Sequence, residues 1–162
     1  MRKIEVTIES HQALLTINNP PANTWDAASL TLLRDTVAEL NDNREIYALV
    51  LTGQGDKFFS AGADLNMFAD GDMANARRMA VEFSSAFETL SQFRGVSIAA
   101  INGFAMGGGL EAAMCCDIRI VESQAQMGLP EATVGLLPGG LGTQHLSWLV
   151  GEGWAKRMIL LG

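Results

Sequence analysis

Val96-Ser97-Ile98-Ala99-Ala100-Ile101-Asn102-Gly103-Phe104-Ala105-Met106-Gly107-Gly108-Gly109 decides the fold class. Its first six residues form a nearly unbroken apolar run, as expected of a strand buried in a parallel sheet. A glycine-rich loop follows and feeds a helix of small residues from Glu111 to Cys116. Asp117-Ile118-Arg119-Ile120-Val121 then reads as a further strand.

The same grammar extends outward. Ile46 to Leu51 is a second continuous apolar run, closed by the loop Thr52-Gly53-Gln54-Gly55-Asp56. Met79, Phe83, Phe87 and Leu90 mark one face of a helix over roughly residues 73 to 93, and Leu30, Leu33, Val37 and Leu40 mark another between Trp25 and Leu40. Ile4-Val6-Ile8 and Ala13-Leu15-Ile17 alternate at period two around His11-Gln12, the pattern of a hairpin. Toward the other end, Leu129-Pro130-Glu131 reads as a helix start with proline at its first position. Pro138 to Thr143 is a loop, and two short helical stretches finish the chain. Strands joined by helices argue for an α/β fold with a largely parallel sheet. The sequence shows no repeat, low-complexity tract or linker, so one domain over 1–162 is expected. The last residues, Met158-Ile159-Leu160-Leu161-Gly162, lie inside an apolar stretch, the ending expected of a fragment.

Composition narrows the function classes. Hydrophobic residues make up 48% and charged residues 18%, an ordinary globular profile. The net charge of -7 speaks against nucleic acid as a partner, because an overall basic surface is missing. It leaves room for an anionic small ligand, since helix ends and backbone amides bind phosphate or carboxylate. The only cysteines, Cys115 and Cys116, are adjacent and read as thiols in a reducing compartment. His11 and His145 lie far apart, so no metal is expected. The N-terminus lacks a signal peptide's apolar region and no run is long enough for a membrane span.

Two segments stand out for geometry. Three successive glycines, Gly107 to Gly109, weaken local order, so a close approach to their backbone is the natural reason for them. Amides at the helix start can then hold an oxyanion or phosphate, and tight helix–sheet packing is the other reading. Ser60-Ala61-Gly62-Ala63-Asp64 also bares its backbone, with Asp64 placed to cap a following turn or simply to form one. Glu111 and Glu131 both occupy first helical turns, where an exposed Glu merely complements the helix dipole. Glu111 is flanked by Leu110, Ala112, Ala113 and Met114. Burial there raises a carboxyl pKa toward the range of acid–base chemistry. No Gly-x-Ser-x-Gly elbow or P-loop is present. Gly107-Gly108-Gly109-Leu110-Glu111-Ala112 satisfies a loose dinucleotide-binding pattern, with Glu131 about 20 residues on. It is set aside because a loop separates the strand from the glycines and Glu131 follows Pro130 rather than a second strand. Met67, Met73, Met79 and Met106 suit either an adaptable pocket or core filling.

At these residues the sequence resembles the crotonase superfamily, the enoyl-CoA hydratase/isomerase group. Four blocks in order carry the resemblance: Phe59 to Leu65; Ile101 to Gly109; Cys116-Asp117; and Leu129-Pro130-Glu131 leading to Gly135-Leu136-Leu137-Pro138-Gly139. The resemblance implies a spiral of ββα units with largely parallel sheets and flanking helices, assembled as a homotrimer or dimer of trimers. It implies an oxyanion hole from the amides of Ala63 and Gly108. It makes Glu111 the group that orients and deprotonates water, and Glu131 the group that protonates the α-carbon of a 2-enoyl-CoA. Ala61, Asp64 and Leu65 match the pantetheine path and, with Ala63, Gly107 and Gly108, form the expected set contacting the acyl-CoA thioester. Coenzyme A is part of the substrate, so no cofactor is expected. Lys57 is a candidate for a CoA phosphate, while Asn66 departs from the basic residue frequent at that position. The family commonly continues with helices for about a hundred more residues, the size of a small domain. A bacterial cytoplasm or an organelle matrix is the expected location.

Overall fold

The computed structural model describes residues 2–162. Two sheets organise it. Strands β1 (Ile4–Glu9), β2 (Gln12–Ile17), β3 (Ala48–Gly53), β5 (Val96–Ile101) and β7 (Ile118–Val121) form one sheet in the order β1-β2-β3-β5-β7. Strands β4 (Phe58–Ser60), β6 (Phe104–Met106) and β8 (Met127–Gly128) form the other, in the order β4-β6-β8. The hairpin β1–β2 is antiparallel; every other pairing is parallel.

The connectivity is a repeat that the sequence hides. β3 and β4 lead to α2 (Met73–Ser91), β5 and β6 to α3 (Gly108–Met114), and β7 and β8 to a 3-10 helix, Pro130–Val134. Each turn lays its first strand in the larger sheet and its second in the smaller one. Equivalent positions after β4, β6 and β8 therefore come to one edge, the carboxyl end of a parallel sheet, where α/β proteins place ligands.

The helices form where their faces predict. α1 (Ala27–Asp42) starts at Asp26, whose carboxylate accepts from the Ser29 amide while Ser29 Oγ accepts from the Asp26 amide. Its buried face carries Leu30, Leu33, Val37 and Leu40. Arg94 donates to the carbonyls of Asn41 in its last turn and of Asn43 and Ile46 beyond its end. α2 is capped by Asp72 and buries Met79, Phe83, Phe87 and Leu90. Two helices close the chain, α4 (Gly142–Val150) and α5 (Glu152–Leu161).

Several expectations shift. Trp25 lies outside α1; it bridges to Ala63 in parallel and is fully buried, its ring edge-on to Phe87. The glycine-rich segment after Ile101 contains β6, and Gly108 and Gly109 are already helical. β6 runs directly into Gly107, so the loop invoked against a dinucleotide site does not exist. The helix expected after Leu129 is one 3-10 turn, preceded by the two-residue strand β8. Strands this short show no periodicity, and neighbouring glycines read as loop.

The triple glycine is split between its two readings. A Cβ on Gly109 would lie 2.2 Å from the Ser60 carbonyl oxygen, so packing of α3 on β4 demands glycine there. Gly109→Ala should therefore lower unfolding stability by about 3 kcal/mol, the upper end for overpacking a core, in urea titrations. A loss below about 1 kcal/mol would show that α3 is not wedged against β4.

Candidate active site

Three segments converge on a cavity of about 490 Å³. The segment after β4 contributes Ala61, Ala63, Asp64 and Leu65; the start of α3 contributes Gly107, Gly108 and Glu111; the 3-10 helix contributes Pro130 and Glu131. Both glutamates and the six residues expected around the thioester, Ala61, Ala63, Asp64, Leu65, Gly107 and Gly108, thus line one space.

The first wall is backbone. Trp25 N–H donates to Gly62 O and Asp64 N–H donates to Trp25 O, each at 2.8 Å. That pairing uses the groups flanking Ala63 and turns the Ala63 amide the other way. Gly62 makes the turn at φ +92, and a Cβ on it would meet the Met106 carbonyl oxygen at 2.7 Å. Opposite stands the first amide of α3. A Cβ on Gly108 would sit 3.7 Å from Ala63 N, and both residues line the cavity. Among the described residues neither amide has an acceptor in the chain. Trp25 fixes the arrangement from behind, its Nε1–H donating to Gly108 O at 3.2 Å.

The second wall carries the carboxyls. Glu111 is only 3% exposed, which removes the reading of a surface Glu that merely complements a helix dipole. Its Oε1 accepts from the amides of Gly140 and Gly142, both at 2.8 Å. Burial pushes its pKa up to about 7 and the nearby Glu131 charge adds to this, while the two amides pull it down. Glu131 is half-buried, and burial raises its pKa as well. Its Oε2 is buried without a hydrogen-bond partner, and its Oε1 lies 2.8 Å from where a Cβ on Gly107 would stand. Gly107, at φ +53, thus leaves room for that carboxyl.

The remaining wall is apolar and includes Phe68, Ala76, Ala80 and Phe83 on one side and Leu136 and Leu137 on the other. The sequence reading placed Phe83 on a helix face and Leu136 and Leu137 in a motif block without assigning them to a pocket, and it passed over Phe68, Ala76 and Ala80. Ala76 and Ala80 lie on the α2 face next to Phe83, a signal available from helical spacing alone. Gly140 and Gly142 were read only as loop, and their role rests on amides that no side chain announces.

Asp64, besides lining the cavity, caps a 3-10 turn, Leu65–Phe68, and accepts from the Asn66 amide at 3.0 Å, as its position suggested. Lys57 does not line the cavity; its ammonium lies 5.3 Å from the Phe58 ring centroid. None of the four methionines lines it either: Met79 fills the core, whereas Met73 is 85% exposed. Both cysteines are free and buried, and burial holds the Cys115 thiol far above its usual range. Among the described residues, no helix is long and apolar enough to cross a membrane, and no cluster of three metal-ligating side chains forms. The cavity thus brings together two residues whose amides have no acceptor among the described residues, two carboxyls with raised pKa values and an apolar wall.

The family profile described as enoyl-CoA hydratase/isomerase matches residues 7–162. The short-chain-enoyl-CoA hydratase of Clostridium acetobutylicum is 41% identical over 152 residues, covering 93% of this chain and 58% of the relative. The crotonyl-CoA hydratase of Syntrophomonas wolfei gives the same identity and coverage. The chain thus spans 58% of the length of these curated relatives. Among solved structures, Pseudomonas aeruginosa DspI is 69% identical with a TM-score of 0.97, over 99% of this chain and 66% of that one. An enoyl-CoA hydratase from Bacillus anthracis is 36% identical with a TM-score of 0.94, over 99% of this chain and 63% of that one.

The Glu111 carboxyl couples site and stability. Between its ordinary value of 4.5 and about 7 the folded chain holds a proton that the unfolded chain releases. Stability therefore falls as pH rises through this window. Glu111→Gln abolishes the effect while an amide oxygen still accepts from Gly140 and Gly142. The variant should match the wild type most closely near pH 4.5 and exceed it increasingly toward pH 8, by about 3 kcal/mol on the conversion of pKa to energy. Urea unfolding at several pH values measures this, and parallel curves for the two proteins would refute it.

Proposed function

The chain belongs to the enoyl-CoA hydratase/isomerase family, and from that premise we propose that it adds water reversibly to the double bond of a 2-enoyl-CoA thioester. The observation that carries the proposal is the meeting of Glu111 and Glu131 with the free amides of Ala63 and Gly108 around one cavity.

In this reading the thioester carbonyl oxygen lies between the amides of Ala63 and Gly108. Glu111 takes a proton from water as the water oxygen bonds to the β-carbon. The electrons of the double bond move toward the carbonyl, and its oxygen gains the enolate charge. Donors already aimed at that oxygen stabilise the charged state more than the substrate. The enolate then collapses by taking a proton from Glu131 onto the α-carbon. The two carboxyls end with their protons exchanged, and solvent restores them. Ala61, Asp64, Leu65 and Gly107 line the approach of the pantetheine arm.

The division of roles follows from hydrogen bonding. Two amides donate to Glu111 Oε1, so that oxygen must be an acceptor and any proton rides on Oε2. These donors favour the ionised base. Glu131 has a buried oxygen with no donor at all, which favours the protonated acid. The pair interacts, so a pH–rate profile reports both together. Moving a double bond needs only one group to carry a proton between two carbons; two carboxyls favour hydration over isomerisation.

Coenzyme A enters as part of the substrate, and no separate cofactor takes part. Association as a trimer or dimer of trimers belongs to the same proposal; exposed Trp148, Trp154, Leu160 and Leu161 support an interface on α4 and α5. The buried free thiols fit a reducing cytoplasm or organelle matrix.

Crotonyl-CoA hydration, followed by loss of the conjugated thioester's absorbance, tests the reading. Glu131→Gln keeps the shape but cannot deliver a proton, so kcat should fall by about 10²- to 10⁴-fold, the usual weight of acid–base catalysis, with KM little changed. Undiminished turnover would remove Glu131 from the chemistry. Binding of crotonyl-CoA without turnover by the wild type would make this a binding relative, and conversion of a 3-enoyl-CoA to its 2-enoyl isomer would make it an isomerase.

A further inference from the structure

Three non-glycine residues hold positive φ among the described residues: Ser10, Asn23 and Leu141. Ser10 sits in the β1–β2 turn and Asn23 is a residue type tolerant of this region. Leu141, at φ 74 and ψ 8, is different, because a Cβ bearing a branched side chain disfavours the left-handed region. Strain of this kind persists only where the surroundings enforce it. The Leu141 side chain packs partly buried against the main core and does not line the cavity. Its backbone has the closer tie to the site. The amides on either side of it, those of Gly140 and Gly142, both reach Glu111 Oε1 at 2.8 Å. Amides brought together by a left-handed residue make a concavity for an anion. Glycine on both sides leaves the room: a Cβ on Gly142 would lie 2.6 Å from Oε1, and one on Gly140 would lie 2.5 Å from the Phe87 ring.

We infer that Leu141 is a positioning residue: its left-handed backbone aims two amides at Glu111 and fixes the orientation of that carboxylate. The inference rests on the reading of Glu111 as the base that takes a proton from water. The other groups facing this carboxyl are Glu131 from the 3-10 helix and Cys115 one turn along α3. Behind Cys115 stands His145 of α4, its Nδ1 3.6 Å from the Cys115 sulfur. Phe87 of α2 adds no charge. The two amides are thus the groups that oppose burial and keep Glu111 ionisable.

Leu141→Ile and Leu141→Gly separate backbone from packing. Isoleucine keeps the apolar volume but resists the left-handed region, whereas glycine loses the volume and adopts that region freely. The readout is the Glu111 titration, followed by carboxyl-carbon NMR on protein with labelled glutamate and assigned by the signal lost in Glu111→Gln. The Ile variant should titrate higher by about one pH unit or more, the equivalent of one lost charge-assisted hydrogen bond. The Gly variant should titrate where the wild type does. The reverse order, or one midpoint for all three proteins, would overturn the inference. Gly142→Ala tests it without touching Leu141, since the new Cβ displaces Oε1. A raised midpoint supports the inference, and an unchanged one counts against it. The same preparations are assayed with crotonyl-CoA, where the Ile variant should lose kcat with KM held. A wild type that hydrates nothing while the titrations follow the expected pattern would sink the hydratase reading alone and leave the positioning role standing.

Discussion

The contact of α3 with the strand beside it constrains everything else in the site. With no side chain on Gly109, the helix lies against the Ser60 carbonyl oxygen so closely that a Cβ would stand 2.2 Å away. This approach sets the start of α3 beside the segment after β4, where a Cβ on Gly108 would stand 3.7 Å from Ala63 N. Had the helix stood off by the thickness of a methyl group, the two residues would no longer border one volume. The helix itself is short, at seven residues, and most of its stability must come from packing rather than propensity. Its buried Ala112 and Ala113 and its anchoring by Trp25 supply that packing.

The same burial creates the chemistry. Glu111 is buried where α3 meets the cavity, so its carboxyl is desolvated, and desolvation raises its pKa. Left alone, such a group would simply stay neutral. The loop before α4 prevents this by presenting two amides to one oxygen, which returns part of the lost solvation in a fixed direction. Glu131 receives no equivalent donor on its buried oxygen. Two glutamates of identical chemistry thus differ in their surroundings, and in the proposed hydration that difference suits one to act as base and the other as acid.

The sequence made the larger elements legible because they are long enough to show a period. α1 and α2 bury the faces that Leu30, Leu33, Val37 and Leu40, and Met79, Phe83, Phe87 and Leu90, define. β6 and β8 escaped because three and two residues cannot show a period. Their loss hid the repeat of ββα turns, which exists in space without any repetition of residues. The site divides in the same way. Glu111, Glu131 and the small-residue segments were visible as side chains or as their conspicuous absence. The partners of Glu111 were not, since Gly140 and Gly142 act through N–H groups common to nearly every residue. Trp25 was misplaced into a helix because its apolar character fits a helical face as readily as a bridge.

A site built this way places its demands on backbone geometry rather than on reactive side chains. Four of its polar contributions are amides: Ala63 and Gly108 facing the cavity, Gly140 and Gly142 facing Glu111. An amide cannot be substituted away, so residues around it are selected for what they allow the chain to do. Glycine at 62 and 107 meets this by taking positive φ at little cost. Leu141 meets it differently, accepting a conformation its side chain opposes while that side chain is held by the core. In the proposed positioning role it is this backbone conformation, rather than the volume of the side chain, that sets the direction of the Glu111 carboxylate. A change of backbone at Leu141 and a change in the acid–base balance of the cavity are then two views of one event.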